Sequence, residues 1–382
     1  MKITRRGFVG TMGLTTAAGV LSSTSLLNRG AEAQTRAESK SKMYDNGIMQ
    51  LNQNESARGP GPKTMEALHA HVNNRVGRGY SPDHVPELEE GIASYYGIER
   101  ENVLLGTGST PLLQGSVRAF CSANRPIVSP VPTYATSLNT AREIGAGVRE
   151  INLDSGMGID LQAVLEASSG AGLIYICNPN NPTGTVHGPE AIDDFVRKVM
   201  TESPDTIVHI DEAYINYAEP GAIETALPLA LEFENIFISR SFSKAHGMAG
   251  LRVGYALGQK QTLDKIDAAW GMGDVNMLGA IAALTALEDK EHIEWERQEN
   301  AHIKAFTIGA FRDMGYEVAD CHTNHIFVKL GFPAAEFRDK CLQEKILVGR
   351  DFPPMEKTHC RISLGSREEM EKAVEVFKKA LA

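Results

Sequence analysis

The feature that most constrains this chain is a recurring alternation of two patterns. Short apolar runs bounded by turn residues, NVLLG (102–106), PIVSP (126–130), GLIYIC (172–177), TIVHID (206–211) and NIFISRS (235–241), are separated by segments with helical spacing at 86–96, 110–120, 134–144, 161–167 and 189–200. Runs that are apolar throughout, rather than at every second residue, suit strands covered on both faces. Such strands alternating with helices imply a mostly parallel sheet between helical layers. From 277 to 314 the pattern turns strongly helical. Apolar runs return at NHIFVKL (324–330), ILVGRD (346–351) and CRISLG (360–365), with a helix near 334–344 and a last one from Arg367. This second arrangement predicts a smaller α+β lobe at the C-terminal end.

A chain of 382 residues is long for one core and fits such a division. Residues 34–64 read as an N-terminal arm and active-site segment, 65–285 as a large domain and 286–382 as a small one. Net charge is −10, and the first 33 residues carry +3 of it, which leaves the remainder at −13. So acidic a surface argues against non-specific nucleic-acid binding. The five cysteines are scattered, with no CxxC pair. That spacing gives no zinc motif, and the odd count rules out a complete disulfide framework while leaving one bridge open. His292 and Glu296 share a helical face, and the expectation there is a solvated surface rather than a metal site.

The first 33 residues hold Arg5-Arg6, a mildly apolar stretch from 8 to 27 and Ala31-Glu32-Ala33. They read as an export signal cleaved after Ala33, with a retained membrane anchor as the alternative. Paired arginines ahead of Phe8 look like a twin-arginine signal, which implies passage through the twin-arginine translocase as a folded protein and a periplasmic location. An ordinary secretory signal with two arginines is the alternative there.

Three stretches carry chemistry. In SRSFSKAHGMAGLRVGY (239–255), Lys244 follows a strand among small residues, where a lowered pKa lets an amine attack a carbonyl. Ser241 and Arg252 nearby suit a phosphate. In DEAYINY (211–217), Asp211 ends a buried strand, the place where open α/β sheets bind ligands. A buried carboxylate there needs a cationic partner, which a protonated pyridine nitrogen would supply, and Tyr214 could reach an oxygen on the same ring. In CNPNNPTGT (177–185), two prolines and a glycine hold Asn181 in a rigid loop.

Together these stretches resemble the pyridoxal-phosphate aminotransferases of fold type I, nearest the histidinol-phosphate aminotransferase branch, over roughly 52–382. The resemblance implies an α/β fold with a mostly parallel seven-stranded sheet between helices and a smaller α+β C-terminal domain. It implies pyridoxal 5'-phosphate as cofactor and transfer of an amino group from an amino acid or amino-alcohol phosphate to a 2-oxo acid. A decarboxylase or carbon–sulfur lyase on the same scaffold is the alternative, and a catalytically dead binding protein is a third reading.

By position, Lys244 matches the lysine of the internal aldimine and Asp211 the partner of the pyridine nitrogen. Tyr214 and Asn181 match donors to the ring hydroxyl oxygen, and Tyr134 in PTYATS matches the aromatic that stacks on the ring. Ser109, Thr110, Ser241 and Arg252 match phosphate ligands. Tyr80 in GYSPDHVPELEE matches a tyrosine that reaches the neighbouring subunit's phosphate, which implies a homodimer with shared sites. Arg361 in CRISLG matches the arginine that holds the substrate carboxylate. Arg350 and Arg58 are candidates for reading a second acidic group, and Ala57 stands where the family often has proline.

Overall fold

Five of the apolar runs become strands of one sheet because parallel strands must be shielded on both faces. In the computed structural model, which describes residues 47–73, 76 and 84–382, the strands in chain order are β1 Met49–Leu51, β2 Val103–Gly106, β3 Ile127–Val131, β4 Val148–Asn152, β5 Leu173–Cys177, β6 Ile207–Asp211, β7 Ile236–Ser241, β8 Gly254–Gly258, β9 Glu317–Val318, β10 His325–Lys329, β11 Ile346–Val348 and β12 His359–Ser363. The seven-stranded sheet runs β2-β8-β7-β6-β5-β3-β4. Its β4-β3-β5-β6-β7 pairings are parallel, and β8 is antiparallel to both β7 and β2. The whole of β3, β5 and β6 is buried.

Two strands of this sheet were not anticipated. The β4 sequence VREIN lies at the edge, half exposed, so it carries Arg149 and Glu150 instead of a continuous apolar run. The β8 sequence GYALG is hidden inside the glycine-rich stretch after Lys244. The helical pattern from 277 to 314 also divides, into Met277–Glu288 and Lys290–Asp313, with Asp289 non-helical between them at φ −84° and ψ 64°. Asp289 is buried and accepts a hydrogen bond from Lys63 Nζ at 2.9 Å.

Hydrophobic clusters fill both sides of the large sheet. A further cluster holds Phe311, Phe337 and Phe377 with strands β10, β11 and β12. Leu51 joins that cluster because β1 pairs in parallel with β11. All of this lies in one compact unit, Met49–Ala382. The five cysteines are free and buried, so the one bridge left open by their count does not form. The expected export signal and Tyr80 lie outside the described residues.

Candidate active site

Register brings the chemistry together. Cys177, Asp211 and Ser239 are side-by-side partners across β5, β6 and β7, so the loops that follow these strands leave the sheet at one place. A cavity of about 340 Å³ opens there. Its lining includes Lys244, Asp211, Tyr214, Asn181 and Tyr134, and also Ser109, Thr110, Ser241, Arg252, Arg350 and Arg361.

Asp211 is 2% exposed. Its carboxylate accepts from Tyr175 Oη at 2.9 Å, Ser239 Oγ at 3.1 Å and the Ala213 backbone N–H at 3.2 Å. Burial nevertheless pushes its pKa up to about 6, which means these donors do not offset the lost hydration. Among the described residues no cation forms an ion pair with it. Behind it, His209 Nε2 lies 2.8 Å from Ser239 Oγ. Since the serine hydrogen goes to Asp211, the imidazole must be the donor in that contact. Burial lowers the His209 pKa to about 3, so the ring is neutral and the chain from His209 to Ser239 to Asp211 runs in one direction. Sequence reading missed Tyr175, His209 and Ser239. The polar positions inside otherwise apolar strands were the available signal.

Lys244 Nζ donates to Asn54 O at 3.1 Å and Gln53 O at 3.3 Å. Burial first, then the Arg361 charge, lowers its pKa to about 8, against the opposing pull of Glu55 and Asp211. The amine is therefore substantially neutral in mildly alkaline solution. The glycines after it serve packing as well as freedom. Gly247 has φ +67°, and a Cβ there would sit 2.1 Å from the Gly59 carbonyl, so only glycine lets residues 59–60 lie against this loop.

At the same cavity, the helix Thr110–Phe120 begins at Ser109 without a side-chain cap. Its free N–H groups and the Ser241 and Ser243 hydroxyls face the same space as Arg252, whose own backbone is left-handed at φ 58°. Gly254 makes this cluster possible, because a Cβ there would meet Gly108 C at 2.5 Å and Ser109 N at 2.6 Å. Donors thus converge here from two turns and a helix start.

Arg361 is 4% exposed. One Nη donates to Asn181 Oδ1 at 3.0 Å and the other to Asn52 O, while Nε has no partner among the described residues. Burial lowers its pKa to about 10, so it stays cationic at neutral pH. Arg350 lies over the rings of Tyr134, at 5.8 Å, and Phe352, at 5.1 Å. Asn181 is held by its loop, where Asn180 donates to Pro132 O and Thr183 and accepts from Thr133.

Arg58 is the exception among the expected site residues that are described, because it does not line the cavity. Its Nε and Nη2 bind Glu296 Oε2 at 2.6 Å and Oε1 at 2.7 Å, with Tyr217 Oη and Ser56 Oγ both 3.0 Å from the same carboxylate. Glu296 is wholly buried, which corrects the expectation of a solvated face there and removes Arg58 as a reader of substrate. Sequence reading also missed which residues of this segment take part: Asn52, Gln53 and Glu55 line the cavity, and Asn54 behind them is buried, with φ 56° and side-chain bonds to Tyr214 and His325.

The family model for aminotransferase class I and II matches residues 46–377. A histidinol-phosphate aminotransferase of Symbiobacterium thermophilum is 32% identical over 335 residues, 87% of this chain and 91% of that protein. One from Staphylococcus saprophyticus is 31% identical over 86% of this chain and 90% of its own length. The fold matches the crystal structure of histidinol-phosphate aminotransferase from Sinorhizobium meliloti in complex with pyridoxal-5'-phosphate, with a TM-score of 0.80, 24% identity, and coverage of 87% of this chain and 91% of that one. The chain belongs to the class I and II aminotransferases of fold type I, a family of pyridoxal-phosphate-dependent transaminases.

Proposed function

We propose that this chain moves an amino group between an amino acid, or an amino-alcohol phosphate, and a 2-oxo acid, with pyridoxal 5'-phosphate held in the Lys244 cavity. The observation that carries this reading is one cavity shared by a lysine amine with its pKa lowered to about 8 and a buried carboxylate that forms no ion pair among the described residues. The donor set fits the cofactor end to end. Ser109, Thr110, Ser241 and Arg252 would hold its phosphate, Asp211 its pyridine N–H, Tyr214 and Asn181 its ring oxygen, and Tyr134 one face of the ring. The bound cofactor supplies an electron sink for the substrate's α-carbon.

The chain's own residues do the rest. Asp211 keeps a proton on the pyridine nitrogen, because neutralising a buried carboxylate by an adjacent cation costs less than leaving it alone. Lys244 Nζ gives up the Gln53 and Asn54 carbonyls to hold the cofactor, and its unprotonated amine moves a proton from the substrate's α-carbon. Arg361 orients the substrate carboxylate, for which its unpaired Nε leaves a donor ready. Arg350, nearer the rim, reads a second acidic group on the substrate.

Lys244→Ala should abolish the label fixed by borohydride at the peptide around position 244, together with all measurable turnover. A label that survives on that peptide refutes the assignment. Ping-pong kinetics with a 2-oxo acid acceptor supports amino transfer, whereas carbon dioxide or sulfide release without amino transfer supports a decarboxylase or lyase.

Two further parts of the reading rest on the sequence. Residues 65–285 and 286–382 act as large and small domains of a homodimer whose site takes Tyr80 from the neighbour. Mixing inactive Tyr80→Phe and Lys244→Ala chains should restore one intact site per heterodimer, and a fully active monomer in sedimentation excludes this. Residues 1–33 direct export through the twin-arginine translocase to the periplasm. Replacing Arg5-Arg6 by two lysines should then retain active, full-length enzyme in the cytoplasm, and normal arrival outside it overturns the export reading.

A further inference from the structure

Asn54 belongs to a segment that no cofactor motif contains, yet it hydrogen-bonds two residues that line the cavity, Tyr214 and Lys244. Its orientation is settled by donors whose direction is unambiguous. The Asn54 backbone N–H donates to Ser363 Oγ at 2.9 Å, so the serine hydrogen goes to Asn54 Oδ1 at 2.6 Å. The amide nitrogen Nδ2 is thereby turned to the other side. It lies 3.0 Å from Tyr214 Oη and 2.9 Å from His325 Nδ1, and donates to both. Asn181 is fixed in the same manner. Arg361 donates to its Oδ1 at 3.0 Å, so its Nδ2 faces Tyr214 Oη at 3.3 Å.

Two amide donors therefore point at one phenol oxygen. Both lone-pair directions of that oxygen are used, and its own hydrogen must leave by the third. Among the described residues nothing accepts from it, and Tyr214 lines the cavity. We propose that Asn54 is a positioning residue that makes the Tyr214 hydroxyl an obligate hydrogen-bond donor into the cavity, toward the ring oxygen of the cofactor. Without Asn54 the hydroxyl can turn toward the vacated side and donate to His325 Nδ1, whose ring stands edge-on to Tyr214 at 5.3 Å. This inference rests on the cofactor placement proposed above. It adds that the strap carrying Asn54, and through Ser363 the strand β12, set the acidity of the bound chromophore.

A donor to the ring oxygen favours its anionic form, so losing that donor makes the proton shared between this oxygen and the Lys244 nitrogen harder to remove. The test is a spectrophotometric pH titration of the loaded enzyme without substrate. Glycine is the substitution of choice at position 54, because it tolerates the left-handed backbone. Asn54→Gly should raise the midpoint of the visible absorption change by about one pH unit, a tenfold change in proton affinity. The other titratable or charged groups facing Tyr214 are Arg361, Lys244, His325, Cys177, Tyr134 and Tyr217, and the substitution leaves them all in place.

The decisive arm is the cycle with Tyr214→Phe. Asn54→Gly should add nothing in that background, whereas a merely structural role would perturb both backgrounds alike. If Asn54→Gly cannot be loaded, Ser363→Ala, which frees the amide to flip, should raise the midpoint in the same direction. A normal midpoint in the Asn54 or Ser363 variant beside a shifted Tyr214→Phe overturns the proposal alone. An unshifted Tyr214→Phe overturns the placement of Tyr214 and the proposal with it.

Discussion

Removing the Arg58 guanidinium should cost stability rather than substrate selectivity. Arg58→Ala leaves the Glu296 carboxylate in a wholly buried position with only Tyr217 and Ser56 as donors. Breaking a buried pair by deleting one partner costs about 3–5 kcal/mol. Two remaining hydroxyl donors, and the 15% exposure of the Arg58 side chain, reduce that to about 2–3 kcal/mol here. Trp295 neighbours Glu296 in sequence and is one of only two tryptophans, so urea unfolding followed by fluorescence reports on this region. The double variant Arg58→Met, Glu296→Gln keeps an acceptor for Tyr217 while removing both charges. It should recover at least about 1 kcal/mol relative to the sum of the single changes. Additive losses, or a cost below about 1 kcal/mol for Arg58→Ala, would refute the reasoning. Because Arg58 lies outside the cavity, kcat/KM for acidic and neutral amino donors should fall by the same factor. A loss confined to acidic donors would return Arg58 to the substrate.

Asp211→Asn should stabilise the cofactor-free protein while weakening cofactor binding. Folding raises the Asp211 pKa from 3.8 to about 6, so its penalty is absent below the unfolded value and full above the folded one. Stability of the cofactor-free protein is thus lost to this group as pH rises between those values. At pH 7 the variant should gain about 1–2 kcal/mol in urea unfolding, less than the full linkage of ~3 kcal/mol because an amide nitrogen replaces one accepting oxygen. No gain at pH 7 would contradict the reading that no ion pair with a described residue offsets the burial of Asp211. The rate at which cofactor-free enzyme captures pyridoxal phosphate at Lys244 should rise with pH around a midpoint near 8. Arg361→Gln should move that midpoint upward, since the Arg361 charge is the largest electrostatic contribution lowering it, and an unmoved midpoint would exclude that coupling.

The buried strands were legible because β5 and β6 have to be apolar at every position to fit between two helical layers. The site residues in NPNNPTG, DEAY and SFSK were legible because each motif lies directly after such a strand, and strand register then forces them together. Where one face is wet, as in β4, or where glycine dominates, as in β8, the pattern weakens and the strand goes unseen. Periodicity placed Glu296 on a helical face but could not say what covers that face.

The sequence by itself determined five of the seven strands of the large sheet and picked out the lysine, the aspartate and the serine, threonine and arginine that line one cavity. Each of these depends on a local pattern and on the rule that ligands gather at the carboxyl ends of parallel strands. Tertiary structure alone decided the partners made across long stretches of chain. Arg58 and Glu296 are 238 positions apart, and Asn54 and Ser363 are 309 apart. Both contacts turn on which polar group is buried beside which, and no local spacing encodes that. Whether an arginine faces substrate or a buried glutamate, and which way a tyrosine hydrogen points, is settled only when distant segments pack and every buried donor has to find its acceptor.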